Sequence, residues 1–459
     1  MQEALSTQPD LGCKLSPHER AFYGSEAKLV VPDSYAELED LVREAEAARR
    51  PLIPAGHGAH AYLGNPPPSG AVVVSLRKLN RVLRYEPGDF TVGAQAGLPL
   101  GELRSTLEAN NQEIPIDLPA QARGTVGGLV ATSPSGLRRG RVGPLRAYVI
   151  GAHAMRGGAS IYKSGGMVVK NVAGYEVMKL LTGSLGTTGP LLEVNFKLRP
   201  IPERRAAHVA VFSDRGAAWR FAEELRTASL ETTALWILSS AAREQLQASH
   251  AALSAEGEVV FWLFEGHSGR VAWQERQAEA LLDHHAPESR SAVSGSELDL
   301  ITDSLIEIDS PGPEPRADLG IVRLSTLPTR AASLEETARR LVVESDLVPL
   351  TASDVLSGLT TLRWTSHRGQ AEPDGTASTP DLARPIRALR SALLEHHAAG
   401  TLLYLPPDTR ASHSFLLTPD PNAGVARKLL HALDPQGIFC PNRLLEPQEA
   451  SARSAPETP

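Results

Sequence analysis

The chain has 459 residues, 42% of them apolar and 22% charged, with 38 glycines and 35 prolines. That composition describes a turn-rich globular protein of roughly two to four units of ~100–200 residues, and excludes a collagenous, coiled-coil or mainly disordered chain. The net charge of −7 excludes general attraction to nucleic acid, no apolar run reaches the ~18 residues of a spanning helix, and MQEALSTQPDLGCKLS at the N-terminus predicts no secretory signal.

In chain order, residues 1–27 read as irregular. Ser34 followed by Glu37 predicts a capping box, and Leu38, Leu41, Val42 and Ala45 repeat at helical spacing up to Pro51. LIPAG, AVVVSL (71–76), VLRYE (82–86) and FTVGAQAG (90–97) read as strands, with a helix over PLGELRSTLEAN, so 28–110 is an α+β unit. From Asp117 to about Pro200 glycines cluster. Beyond Pro200 the texture changes to apolar strands (AAHVAVFS, TTALWILS, GEVVFWLFEG) alternating with amphipathic helices, which predicts a separate domain with Trp236, Trp262 and Trp364 in its core. Residues 367–385 read as a flexible insert. Residues 423–446 hold a helix that stops at Asp434-Pro435, and 447–459 read as a disordered tail. No repeat of 20–50 residues is visible.

The two cysteines, Cys13 and Cys440, exclude a disulfide framework and fall short of the ~4 thiolates of an iron–sulfur cluster. Cytoplasm is the expected compartment. Arg outnumbers Lys 38 to 8, and Lys is missing between Arg199 and Arg427. This reads as genomic base composition, which leaves Arg-rich spots with little functional weight.

Three glycine-rich stretches carry the chemistry. Pro54-Ala55-Gly56-His57-Gly58-Ala59-His60 follows a strand, and small residues in succession let amides converge on an anion. It is neither a P-loop nor a GxGxxG fingerprint, and by itself it reads equally well as a plain strand-to-loop turn. Gly124-Thr125-Val126-Gly127-Gly128 through Thr132, Ser135 and Gly136 reads as a helix start with free N–H donors suited to a pyrophosphate, or alternatively as close helix–sheet packing. Gly174-Tyr175 lead into a short helix. The turn that follows, Thr182-Gly183-Ser184-Leu185-Gly186-Thr187-Thr188-Gly189-Pro190, runs into a strand at Leu191.

Taken in order and spacing, these stretches resemble the FAD-binding domain of the vanillyl-alcohol oxidase/p-cresol methylhydroxylase family over roughly residues 28–200. Within it, KNVAGYE-x4-LTGSLGT, SLRKLNRVLRYEPGDFTVGAQAG and LDPQGIFCPNRL look most like the FAD-binding E subunits of bacterial glycolate oxidases. The resemblance implies an α+β fold: a two-subdomain p-cresol methylhydroxylase-type FAD-binding domain (28–204), a second α+β cap-like or substrate domain (205–422), and a C-terminal return (423–446). It implies FAD as cofactor, held by Pro54, Gly56, His57, Gly58, Ala59, His60, Gly124, Thr125, Gly127, Gly128, Thr132, Ser135, Gly136, Gly174, Tyr175, Gly186, Thr187, Gly189, Pro190 and Leu191. His60 stands where some relatives tether FAD covalently. The sequence departs from the family at His57, a usual glycine, at Ala147, a usual Asp, and at Pro190, where proline removes an amide.

The implied activity is FAD-dependent oxidation of a small 2-hydroxy acid such as glycolate or D-lactate. Electrons then leave to a partner iron–sulfur subunit, beside a catalytic flavoprotein subunit. Two alternatives stay open: a non-catalytic FAD relay or scaffold subunit, and an oxidase of another alcohol using dioxygen. No catalytic base is assigned: Glu395-His396-His397 reads as a solvated helix end, His153 and His284-His285 as surface or core residues, and Asp299/Asp303 as solvent-facing. No metal is expected and no transmembrane segment. Peripheral membrane association through a complex stays open.

Overall fold

The computed structural model describes residues 14–117, 124–168, 174–247, 256–366 and 381–446. The expected disordered tail, most of the expected insert (367–380) and Cys13 lie outside them. Within the stretch expected to be irregular, Pro17–Tyr23 is a helix. Ser16 Oγ accepts from the Glu19 amide at 3.2 Å and the Glu19 carboxylate accepts from the Ser16 amide at 2.7 Å, a reciprocal cap that Ser-Pro-x-Glu signals.

β1 (Lys28–Val30), β2 (Leu52–Ala55) and β3 (Val72–Ser75) form a parallel sheet in the order β1-β3-β2. The crossover helix Tyr35–Ala47 buries Leu38, Leu41, Val42 and Ala45. Its cap is a variant of the expected box. Ser34 Oγ accepts from the Glu37 amide, but the Glu37 carboxylate takes the amide of Asp33 rather than that of Ser34.

β4 (Val82–Glu86), β5 (Thr91–Gln95), β6 (Gln112–Glu113), β7 (Val149–Arg156), β8 (Ser160–Gly165), β9 (Leu191–Lys197) and β10 (Arg199–Pro200) follow. Five of them make an antiparallel sheet ordered β4-β5-β9-β7-β8, and β6 pairs with β10. One continuous apolar core, from Leu38 through Val92, Leu129 and Phe196 to Phe439, joins this sheet to the parallel one.

The remaining strands are β11 (Arg204–Phe212), β12 (Ala234–Leu238), β13 (Glu258–Gly266), β14 (Ser289–Val293), β15 (Leu319–Ser325), β16 (Val348–Asp354), β17 (Leu359–Thr365) and β18 (Ala399–Tyr404). They form one antiparallel sheet in the order β14-β11-β13-β12-β16-β17-β15-β18. The order is that of two β-α-β-β-α-β units, the second repeating the first, joined edge to edge where β12 pairs with β16. The repeat is much longer than the 20–50 residues of solenoid periods. Helices Arg215–Thr227 and Ser268–Leu282 pack on the first unit, and Ala331–Val343 and Arg384–Glu395 on the second. Trp236, Trp262 and Trp364 are buried, and Trp236 Nε1 donates to the Leu137 carbonyl at 3.0 Å.

The C-terminal return pairs alongside β2: the Leu52 amide donates to Ile438 O at 2.8 Å and the Cys440 amide to Leu52 O at 2.9 Å. The large sheet meets the N-terminal half through an apolar cluster that joins Ile53, Tyr62 and Val73 to Leu319, Ile321 and Leu403, and through a buried charge cluster. Arg138, 3% exposed, meets Asp117 at 2.6 Å, Glu113 at 3.2 Å and Glu265 of β13 at 3.3 Å. Arg199 and Arg205 join the same cluster through Glu265.

Candidate FAD site

The loop after β2 owes its shape to its small residues and to the neighbouring strand. Ser75 Oγ donates to Gly56 O at 2.6 Å and turns that carbonyl toward the sheet. Among the described residues no hydrogen bond uses the amides of Gly58, Ala59 or His60. Three adjacent donors are thus left for an anion, as the composition predicts.

The second stretch differs from its expectation. Thr125 caps a helix of only seven residues, Val126–Thr132. Its first amides are already used: Val126 donates to Leu98 O at 3.0 Å, Gly127 to Ala96 O at 2.7 Å and Gly128 to Thr125 Oγ1 at 3.2 Å. No free N–H crown remains for a pyrophosphate. The glycines serve packing instead. A Cβ on Gly127 would sit 2.8 Å from Ala96 Cβ, so glycine lets the helix lie on the end of β5.

These stretches converge on one cleft. Pro54, Gly56, His57, Gly58, Ala59 and His60 line it on one side, and Gly124, Thr125, Gly127, Gly128 and Thr132 line the floor. Gly186, Gly189 and Leu191 close the far side. The space between these walls, which is open to solvent, is about 800 Å³. It opens into a larger chamber of about 1680 Å³ that shares His57 to His60, Gly124, Thr132 and Leu185. Ser135 lines only this second chamber.

Five expected positions lie elsewhere. Tyr175 is 93% exposed, because a tight turn from its carbonyl to the Val177 amide sends the ring outward, and Gly174 beside it is also exposed. Thr187 is buried with its hydroxyl donated to Ser184 O at 2.6 Å, and Pro190 is buried with its carbonyl taken by the Met155 amide. Gly136 sits against the Asp117 carboxylate, outside both chambers. The motif residues 170–173 fall outside the described residues.

Sequence reasoning missed several wall residues. Tyr23, Leu76, Ala96 and Arg443 line the first chamber, and His18, Tyr62, Asp309, Arg323 and Phe415 the second. The second chamber therefore lies between the glycine loops and the large sheet. Asp309 accepts from Thr361 Oγ1 at 2.5 Å and pairs with Arg323.

His60 lines both chambers. Its burial, with the charge of nearby His18 adding to it, pushes the imidazole down to about 4, so it is neutral at pH 7. With its folded value below the ordinary ~6.5, the stability tied to neutral His60 is complete above that pH and is lost as pH falls toward 4. The FAD-free chain should therefore lose melting temperature more steeply between pH 6.5 and 4 than its His60→Gln variant. Parallel curves would show that His60 does not titrate in that window.

The cleft fits an elongated, flat, partly anionic ligand: unpaired amides at one end, close-packed small residues along the floor, and a wide chamber beyond. Residues 27–165 match the family model described as "FAD binding domain". Those residues are an FAD-binding domain. Glycolate oxidase subunit GlcE of Escherichia coli is 31% identical over 235 residues, covering 49% of this chain and 66% of that protein. D-lactate dehydrogenase of Anaerostipes hadrus is 33% identical over 187 residues, covering 40% and 39%. The chain thus spans less than two thirds of the length of these relatives. The fold is that of p-cresol methylhydroxylase, whose structure superposes with a TM-score of 0.68 at 12% identity, covering 91% of this chain and 88% of that one. The cleft also takes walls from outside the matched stretch: Leu185, Gly186, Gly189 and Leu191 of the 183–191 segment and Arg443 of the C-terminal return. Among the described residues there is no group of three or more His, Cys, Asp or Glu placed to hold a metal, and no helix long and apolar enough to cross a membrane.

Proposed function

We propose that this chain is the flavin-carrying subunit of an assembly that oxidises a small 2-hydroxy acid of the glycolate or D-lactate class. The observation that supports it is the two-chamber cleft, in which a slot lined by the glycine-rich loops opens onto a wider cavity walled in part by the large sheet. FAD held there would supply a two-electron acceptor for the hydride of the substrate's α-carbon. The protein's share is orientation: the 54–60 loop holds one end of the cofactor, the Thr125–Thr132 floor supports it, and the second chamber admits the acid.

Only two cysteines occur in the chain, and Cys440 is buried with its thiol pushed up to about 12 by burial. The chain therefore holds no cluster of its own, and the resemblance to glycolate oxidase E subunits is what implies a partner iron–sulfur subunit as the electron acceptor. The relative GlcE is named as one subunit of its enzyme, which is in keeping with partner subunits. This assembly would be cytoplasmic.

One observation favours a second reading, a relay subunit with catalysis on a partner. Arg323, which lines the second chamber, is already committed to Asp309 and would not be a ready counter-ion for a substrate carboxylate. Anaerobic addition of glycolate or D-lactate to the isolated FAD-loaded chain separates the two. Bleaching of the flavin band within a turnover is the expected result of catalysis here. An unchanged spectrum that bleaches only after a partner subunit is added would assign this chain the relay role. Peroxide release in air would instead favour an oxidase of another alcohol.

A further inference from the structure

Beside residues 61–65, which follow the 54–60 loop, lie two buried guanidinium groups, both from outside the matched FAD-binding stretch, of which Arg410 lines neither chamber. Arg443, 5% exposed, lines the first chamber. Its Nη2 donates to Ala61 O at 2.6 Å and its Nη1 to Asn65 O at 3.1 Å. Arg410, 2% exposed, donates Nη2 to Gly64 O at 2.8 Å, while its Nε and Nη1 have no partner among the described residues. Neither forms an ion pair there. The carboxylate of Glu19, against Gly58, accepts from the Ser16 amide and is ion-paired with neither arginine.

Two buried like charges near each other, one bonded only to carbonyls and the other left with two unpartnered donors, are a standing cost to the fold. Burial, reinforced by the charge of Arg443, pulls Arg410 down to about 9. Such an arrangement persists where an anion offsets it. The amides of Gly58, Ala59 and His60 offer hydrogen bonds to an anion but no net charge, and FAD carries a diphosphate. The geometry points to Arg410 and Arg443 as the charged half of the diphosphate subsite: they grip the 61–65 carbonyls from behind and set a buried positive field under the loop. This rests on the FAD-binding domain and not on the substrate reading.

The test uses the full chain stripped of FAD, with Arg443→Gln and Arg410→Gln, titrated with FAD at low and high salt. Each variant should weaken FAD binding about tenfold or more, and the slope of log Kd against log salt should become shallower than in the wild type. The FAD-free Arg410→Gln protein should melt no lower than the FAD-free wild type, because a buried like charge has been removed. Unchanged FAD affinity overturns the proposal. So does weaker affinity with an unchanged salt slope, or an equal loss of melting temperature with and without FAD, since either is the mark of a loop clamp alone. If Arg443→Gln does not fold, Arg443→Lys, which keeps the charge, should hold FAD within a few-fold of wild type at low salt; a loss as large as that of Arg410→Gln would overturn the charge role. A wild type that binds no FAD would instead fail the domain assignment itself.

Discussion

Replacing Arg138 by methionine is expected to cost about 3–5 kcal/mol of stability, the usual toll of leaving buried carboxylates without their cation. Arg138 holds Asp117 twice, through its backbone amide at 2.8 Å and its Nε at 2.6 Å, and reaches Glu113 and Glu265 with Nη1. Burial alone would pull the guanidinium down, but the three carboxylates more than reverse this and raise it above its ordinary value. Glu113 belongs to β6 of the N-terminal half and Glu265 to β13 of the large sheet, so the cluster joins the two. Urea unfolding should show the loss, with one transition splitting into two as the halves uncouple. Arg43, which pairs with Glu39 and Asp40 on an exposed helix, serves as control: Arg43→Ala should change stability by less than about 0.5 kcal/mol. An Arg138→Met protein with a single transition and a loss below about 1 kcal/mol would show that the cluster does not join the halves.

Gly189→Ala should be comparably damaging, for a backbone reason. Gly189 has φ of +98°, and a Cβ there would fall 1.9 Å from the Met155 carbonyl oxygen. Neither the conformation nor the space suits alanine, and the obstructing atom belongs to β7 and cannot swing away. The turn carries Gly186 and Leu191 on the cleft wall, so any relief moves that wall. A loss on the order of 3 kcal/mol, together with purification largely free of flavin, is expected. Gly101→Ala is the matched control. Gly101 lies on the exposed side of helix Leu100–Glu108 with no atom within 4 Å of its added Cβ. Alanine there should raise stability by ~0.5–1 kcal/mol. A yellow, normally stable Gly189→Ala protein would mean that the turn is not as drawn.

Much of this was legible in the sequence because it is local. Short apolar runs bounded by turn residues marked β3, β5 and β13, and helical spacing with Ser34 marked Tyr35–Ala47. The glycine loops announced close backbone approach at 54–60 and 183–191. Long-range facts were hidden. That Val126, Gly127 and Gly128 spend their amides on Leu98, Ala96 and Thr125 depends on β5 passing beneath, which no spacing reveals. The two β-α-β-β-α-β units share a strand order and not a visible residue pattern, so the repeat does not show in the sequence. Arg138, Arg410 and Arg443 were masked by a chain in which arginine replaces lysine almost everywhere. Their importance comes from burial, and composition says nothing of burial. Tyr175 erred in the other direction: its neighbourhood matched a motif, but its own side chain faces solvent.

The most direct measurement is an FAD titration of the stripped full-length chain, followed by the flavin visible band and quenching of its fluorescence, beside a variant carrying Thr132→Trp on the cleft floor. Saturable uptake of one FAD per chain by the wild type is expected, with loss of most of that uptake when the tryptophan fills the slot. No uptake by the wild type, or undiminished uptake by Thr132→Trp, would contradict the assignment of the cleft to FAD.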